Sequence, residues 1–284
     1  MLKYDYHCHS TISDGTLTPS QLVLQAHHQK VKSLAITDHD DIGSWQEAKK
    51  TSENVGIYLI SGVEISTTWH KKTIHILGYG FDPENQQFIN NLADNRQLRN
   101  QRAIIIDQIL REKGIVNAIQ GAQKIAQRHE PLSRTHFARF LIMNGYCKNF
   151  AEAMNKFLAD SILSEKVNKW VSINTAIDWI NNAGGVAFLA HPLRYRFPPE
   201  FELIDLIKDF IKAGGDGIEV VYAKNSSRQI EYIADIARRY NLSASGGSDF
   251  HTDDNTMNGI EIGDIAPIPK NLRSLNQILE KTIN

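Results

Sequence analysis

A chain of 284 residues with 42% hydrophobic and 22% charged residues can bury a large core and has an ordinary globular makeup. Its formal net charge of −1 excludes polyanion binding driven by overall charge, and two cysteines, Cys8 and Cys147, exclude a disulfide scaffold. The first residues lack a signal-peptide apolar core and no run approaches a membrane span, so a cytoplasmic, non-membrane protein is expected.

The first strand is predicted over Lys3–Cys8 and leads into His7-Cys8-His9. Residues two apart on a strand share a face, so His7 and His9 point together and Cys8 turns away as a small buried hydrophobe. Ser13-Asp14-Gly15 reads as a turn, and Thr18-Pro19 as the cap and first position of a helix through Gln21–Ala26. Ser33–Thr37 is a short apolar strand ending at Asp38-His39, and a helix follows over Trp45–Ser52. Ile57–Ile60 leads to Gly62-Val63-Glu64-Ile65, and Thr73–Tyr79 is another strand with His75 inside it.

Between 84 and 170 the strands give way to helices, predicted over Leu98–Lys113, Ala118–Gln127, Thr135–Met143 and Ala151–Leu158. Alternation then resumes. Val186–Ala190 ends at His191-Pro192, and a helix over Phe201–Ala213 precedes Gly217–Val221. A helix over Gln229–Tyr240 precedes Leu242–Ser245, which runs into Ser248-Asp249-Phe250-His251.

Strands alternating with helices predict an α/β protein built from parallel β/α units, about seven strands and so near a barrel. Residues 1–83 and 171–284 are assigned to the barrel and 84–170 to a helical insertion. Within 96–139 nine cations (Arg96, Arg99, Arg102, Arg111, Lys113, Lys124, Arg128, Arg134, Arg139) face three acids (Asp107, Glu112, Glu130), a local +6. An anionic substrate is therefore expected to be gripped there. Arg96, Arg99 and Arg102 recur every third residue and read as a stripe for an RNA tail or as a solvated helix face.

Six histidines (His7, His9, His39, His75, His191, His251), two aspartates (Asp14, Asp249) and Glu64 fall at or beside strand ends. Such a set is too large for one ion and suits a cluster of two or three Mn²⁺, Zn²⁺ or Fe²⁺ ions. A cluster of that kind lowers the pKa of a bridging water and binds phosphate oxygens, which points to hydrolysis of a phosphate ester. His27, His28, His70 and His129 lie away from strand ends and read as structural or solvated. Neither a Gly-x-Ser-x-Gly elbow nor a Walker loop offers a rival chemistry.

With these residues in place, the chain resembles the PHP (polymerase and histidinol phosphatase) superfamily of metal-dependent phosphoesterases. The resemblance rests on His7-Cys8-His9-Ser10, Ser13-Asp14-Gly15, Thr37-Asp38-His39-Asp40, Gly62-Val63-Glu64, His191-Pro192 and Ser248-Asp249-Phe250-His251. Ser133-Arg134-Thr135-His136-Phe137-Ala138-Arg139 and His191-Pro192-Leu193-Arg194-Tyr195 are similar to its RNase AM (TrpH/YciV-type) subgroup. That subgroup comprises 5′–3′ exoribonucleases and nucleoside 3′,5′-bisphosphate phosphatases, and it usually has Pro where Thr135 stands.

The resemblance implies a distorted (β/α)7 barrel with two to three divalent ions, Mn²⁺ first. By position, His7, His9, Glu64 and Asp249 hold one ion, and Glu64 bridges to a second held by His75 and His191. Asp14, His39 and His251 hold the third. Asp38 is expected to orient a ligand histidine. Arg134 and Arg194 are the expected phosphate clamps, since guanidinium matches phosphate in bidentate fashion. His136 is expected to contact phosphate or protonate the leaving oxygen. The implied substrate is a small nucleotide or short single-stranded RNA, with no obligate protein partner. A histidinol-phosphate-type or other small-molecule phosphomonoesterase is the alternative.

Overall fold

The computed structural model describes residues 3–127, 131–159, 170–197, 199–252 and 260–282; Arg128, His129 and Glu130 lie outside them. The first half begins with β1 (Tyr4–Asp5), α1 (Pro19–His28), β2 (Ser33–Ile36), α2 (Trp45–Val55), β3 (Tyr58–Trp69) and β4 (Lys72–Tyr79). α1 starts for the expected reason: the Thr18 hydroxyl accepts the Gln21 N–H, and the Gln21 side chain accepts the Thr18 N–H at 2.9 Å. Four helices follow: α3 (Gln86–Glu112), α4 (Ala118–Ala126), α5 (Arg134–Met143) and α6 (Phe150–Lys156). The chain returns through β5 (Val171–Ser172) to α7 (Ile173–Asn182), β6 (Val186–Leu189) and a 3₁₀ turn (Pro192–Arg194). It ends with α8 (Leu203–Lys212), β7 (Gly217–Tyr222), α9 (Ser227–Arg239), β8 (Ser243–Gly247) and α10 (Leu275–Thr282).

The main sheet runs β1-β2-β3-β4-β6-β7-β8, with β5 added beside β3. Three backbone bonds tie its ends together. Tyr6 N–H donates to Gly246 O (3.1 Å), Asp249 N–H to His7 O (2.7 Å) and His9 N–H to Phe250 O (2.9 Å). The sheet therefore nearly closes, as the seven-strand reading requires. One strand departs from the parallel expectation: β4 is antiparallel to both β3 and β6. The cause is local. Only His70-Lys71 joins β3 to β4, and a parallel partner needs a crossover of a dozen residues or more. Both turn residues have positive φ (42° and 65°), as a two-residue primed hairpin turn demands.

The largest core packs Val63, Ile65, Ile76, Leu189 and Val220 of the sheet against Ile177, Phe210 and Ile233 of α7, α8 and α9. A second core, with Ile106, Leu110, Phe137, Leu141 and Phe157, sits among the four central helices. α3 serves both: its first turns bury Phe88 and Leu92 in the barrel core, and its later turns bury Ile106 and Leu110 in the other. At 27 residues it spans about 40 Å. Cys8 and Cys147 are buried free thiols. Among the described residues no helix is long and apolar enough to cross a membrane.

Candidate metal centre

Seven of the nine predicted donors follow the ends of β1, β2, β6 and β8, where parallel β/α barrels place their chemistry. Glu64 lies within β3 but level with the end of β2, since His39 bridges to it. The reversed β4 begins at this same rim, so an imidazole early in that strand arrives beside the others. His75 sits opposite Ser66 and diagonal to Glu64, within side-chain reach.

Glu64 is the hub. Its Oε2 lies 3.3 Å from His7 Nε2, 3.2 Å from His9 Nε2 and 3.2 Å from His39 Nδ1. Its Oε1 lies 2.7 Å from His75 Nδ1 and 2.9 Å from His191 Nε2. Asp249 Oδ1 stands 3.3 Å from His7 Nε2 and 3.2 Å from His9 Nε2, and Asp14 Oδ1 stands 3.3 Å from His251 Nε2. Three overlapping donor groups result: His7, His9, Glu64, Asp249; His39, Glu64, His75; and His9, Asp14, His39, His251. All nine residues expected at the site are thus brought together. The second group takes His39 beside Glu64 and His75, whereas His191 stands outside it although its Nε2 meets the same Glu64 Oε1 as His75.

These residues fit divalent cations. Buried polar atoms normally find hydrogen-bond partners. Yet His7 Nε2, His9 Nε2, His39 Nδ1 and Asp14 Oδ1 are buried and make no hydrogen bond. The four imidazole–carboxylate separations among His7, His9, Glu64 and Asp249 are 3.2–3.3 Å, the spacing of ligands that share one ion. Ligands at about 2.0 Å from a tetrahedral ion lie about 3.3 Å apart. Cys8 faces away, so the donors are imidazole and carboxylate only, which suits hard to borderline ions.

The electrostatics agree. Burial alone would raise the carboxyls of Asp14, Glu64 and Asp249, but neighbouring imidazoles, with Arg194 beside Asp249, hold all three well below the usual range. Burial also opposes charge on His7 and His9. The carboxylates around them prevail, lifting His7 well above an ordinary imidazole and His9 to about 10. Burial keeps His39 and His191 below the ordinary value.

Arg194 pairs with Asp249 Oδ2 and lies 5.6 Å over the Tyr222 ring. It lines a cleft of about 1070 Å³ together with Arg134, His75, His191, Asp249 and His251. A neighbouring cleft of about 490 Å³ joins Asp14 and His39 to Arg99, Arg102, Arg134 and Trp170. The Arg99 and Arg102 guanidiniums lie 5.1 and 5.6 Å over the Trp170 ring. Arg96 donates to Asp40 O at 2.9 Å, and Arg99 pairs with the Asp40 carboxylate. The stripe on α3 is therefore not a solvated face: Arg99 and Arg102 are buried and line the cleft beside Asp14 and His39.

Two expectations resolve differently in detail. His136 is 2% exposed and lines neither cleft. Its Nδ1 accepts the Ser133 N–H at 3.1 Å and so helps cap α5, fixing the turn that carries Arg134. Asp38 touches no ligand histidine directly. It accepts from Ser10 N–H (2.8 Å), Ser10 Oγ (2.7 Å) and Ser13 Oγ (2.6 Å), and Ser13 Oγ lies 3.4 Å from His9 Nδ1. A buried acid that does bond a ligand histidine directly is Glu219, 2.8 Å from His7 Nδ1, which sequence reading passed over. Its one signal was a lone acid inside the apolar run Gly217–Val221.

The PHP domain family matches residues 5–156. The chain is similar to the 5′-3′ exoribonuclease Rnm of Escherichia coli, 38% identical over 283 residues, covering 99% of this chain and 95% of that protein. It is similar to a 3′,5′-nucleoside bisphosphate phosphatase of Chromobacterium violaceum, 37% identical over 284 residues, covering 100% and 98%. A solved structure from Chromobacterium violaceum, described as an amidohydrolase with bound sulfate and no metal, matches with a TM-score of 0.90 at 36% identity. That match covers 99% of this chain and 96% of the other.

Proposed function

Because the chain belongs to the PHP domain family, we propose that it is a metal-dependent phosphoesterase hydrolysing nucleoside 3′,5′-bisphosphates and 5′-phosphorylated short RNA. One observation carries this reading: five imidazoles converge on the two oxygens of Glu64, with Asp14, Asp249 and His251 closing the ring. The names of the two relatives divide between an exoribonuclease and a bisphosphate phosphatase. A single site that accepts a terminal phosphorylated nucleotide suits both.

His7, His9, Glu64 and Asp249 would hold one ion, Glu64 with His75 and His191 a second, and Asp14, His39 and His251 a third, with Mn²⁺ our first assignment. When bound, such ions supply positive charge to phosphoryl oxygens and make a water acidic near neutral pH. The remaining work falls to the chain. Arg194 and Arg134, both lining the larger cleft, present planar donor forks that hold the phosphate and fix its line of attack. Burial of Glu64 and Asp249 keeps bulk water from competing for those charges. Residues 84–170 act as the lid, because α5 brings Arg134 over the barrel mouth. We place the enzyme in the cytoplasm, acting without a protein partner.

The test is a Mn²⁺-supplemented panel: a nucleoside 3′,5′-bisphosphate, mononucleotides, histidinol phosphate, and short RNA with and without a 5′ phosphate. We expect turnover of the bisphosphate and of 5′-phosphorylated RNA, lost in His9→Ala and Asp249→Ala while both variants stay folded. Full activity in either variant refutes the reading. Histidinol phosphate as the preferred substrate replaces it with the phosphomonoesterase alternative.

A further inference from the structure

Glu219 is fully buried in β7, on a strand otherwise filled by Ile218, Val220 and Val221. A charge so placed is expensive unless both oxygens are used. Both are. Oε1 lies 2.8 Å from His7 Nδ1, and Oε2 accepts the backbone N–H of His191 at 2.7 Å. The pairing of β7 with β8 shifts register between Glu219 and Val221, the irregularity by which a strand re-aims a side chain. His191 itself has φ 25° and ψ 61°, a strained conformation for a residue with a Cβ.

We propose that Glu219 is a shared positioning residue: one carboxylate sets the ring tautomer of His7 and seats the strained backbone of His191. The proposal rests on the metal-site reading above. A carboxylate facing Nδ1 accepts its hydrogen, which leaves the Nε2 lone pair free. Nε2 is the atom that faces Glu64 and Asp249 and makes no hydrogen bond. The other oxygen holds His191 where its Nε2 meets Glu64. Two ligands that follow separate strands, β1 and β6, thus depend on one side chain of a third.

Glu219→Gln discriminates well, because the amide has the same shape and only one acceptor. If its oxygen keeps the His191 N–H, its NH₂ faces His7 Nδ1, which must then accept. The ring hydrogen moves to Nε2 and blocks the donor. If the amide flips, the His191 N–H confronts another donor. We expect Mn²⁺ affinity, measured by calorimetric titration, to fall by roughly 10–100-fold for one ion, with the fold unchanged. Nitrogen NMR of zinc-loaded wild-type protein should show the His7 hydrogen on Nδ1, a readout that holds even if the variant fails to fold. Unchanged affinity in a folded Glu219→Gln, or a hydrogen-free Nδ1 in the wild type, overturns the proposal and leaves the metal site standing. A wild-type protein that takes up no Mn²⁺ or Zn²⁺ overturns both.

Discussion

Replacing Arg99 with methionine keeps most of the side-chain stem and deletes the guanidinium that pairs with Asp40. Asp40 is entirely buried and the Arg99 side chain is 9% exposed, so the pair is screened from solvent. Asp40 Oδ2 accepts from Arg99, while Oδ1 accepts from Ser66 N–H (2.7 Å) and Asn95 Nδ2 (2.8 Å). Removing one partner of a buried pair costs about 3–5 kcal/mol. The two bonds to Oδ1 survive, which favours the low end. Loss of the stack on Trp170 adds about 0.5–1 kcal/mol. A destabilisation of about 3–4 kcal/mol follows, measurable by urea unfolding of the chelator-treated protein at pH 7.

The pH dependence has a definite sign. Burial pushes the Asp40 carboxyl up, but Arg99 and the Ser66 N–H together hold it below its ordinary value. A depressed folded value stabilises above the unfolded value and is lost as pH falls through the folded one. In the variant burial prevails and the carboxylate becomes a liability at neutral pH. The gap between the two proteins should therefore be widest near neutrality and close below about pH 4. Asp40→Asn combined with Arg99→Met should recover part of the loss, since no charge remains unpaired and asparagine tolerates the φ of 54°. A single variant within about 1 kcal/mol of wild type at pH 7, or a gap that widens in acid, refutes the reasoning.

Three further outcomes are expected. Glu64→Gln, which touches five imidazoles, should lower Mn²⁺ affinity by more than the roughly 10–100-fold typical of losing an outer partner; metal analysis after dialysis showing the wild-type stoichiometry would count against the hub. Chelation should abolish phosphatase turnover and lower the melting temperature, since an ion at 100 times its Kd stabilises by about 2.7 kcal/mol; identical melts with EDTA and with Mn²⁺ would contradict this. Gly247→Ala should destabilise the barrel and impair metal uptake, because a Cβ there would come within 2.3 Å of His7 Cβ and 2.4 Å of His7 N; a wild-type melting curve would disprove so close an approach.

The sequence displayed the donors more clearly than the framework that aims them. His7 and His9 were readable because strand alternation alone puts them on one face, and His39, His191, Asp249 and His251 because each ends a short apolar run. The reversal of β4 was less visible. It depends on the length of the His70-Lys71 turn, not on the strand's composition, which reads the same in either direction. Glu219 and Asp40 escaped for a different reason. A buried acid is betrayed only by partners distant in the chain, 212 residues for His7 and 59 for Arg99. The same limit explains the α3 arginines: three-residue spacing sets their face, but only the packed structure shows that face against the barrel and Trp170.

Strain at the strand ends is the last element a sequence conceals. Asp40, His191 and Asp249 all have positive φ (54°, 25° and 53°), and each lies next to a proposed ligand or is one. Single residues in such conformations cost about 1–3 kcal/mol each and persist only where the surroundings hold them. In all three cases the holding group is the residue's own N–H. Asp40 donates to Glu64 O (2.9 Å), His191 to Glu219 Oε2 (2.7 Å) and Asp249 to His7 O (2.7 Å). Every acceptor belongs to a different, neighbouring segment of the barrel. The tether from Asp249 crosses the seam between the first and last strands, so it exists only when the barrel closes. An isolated β/α unit could not offset the strain, and its chain would relax to carry the donor elsewhere. Closure of the sheet and assembly of the donor cage are therefore one event, which is why loosening the seam at Gly247 should be felt at the metal site as well as in the fold.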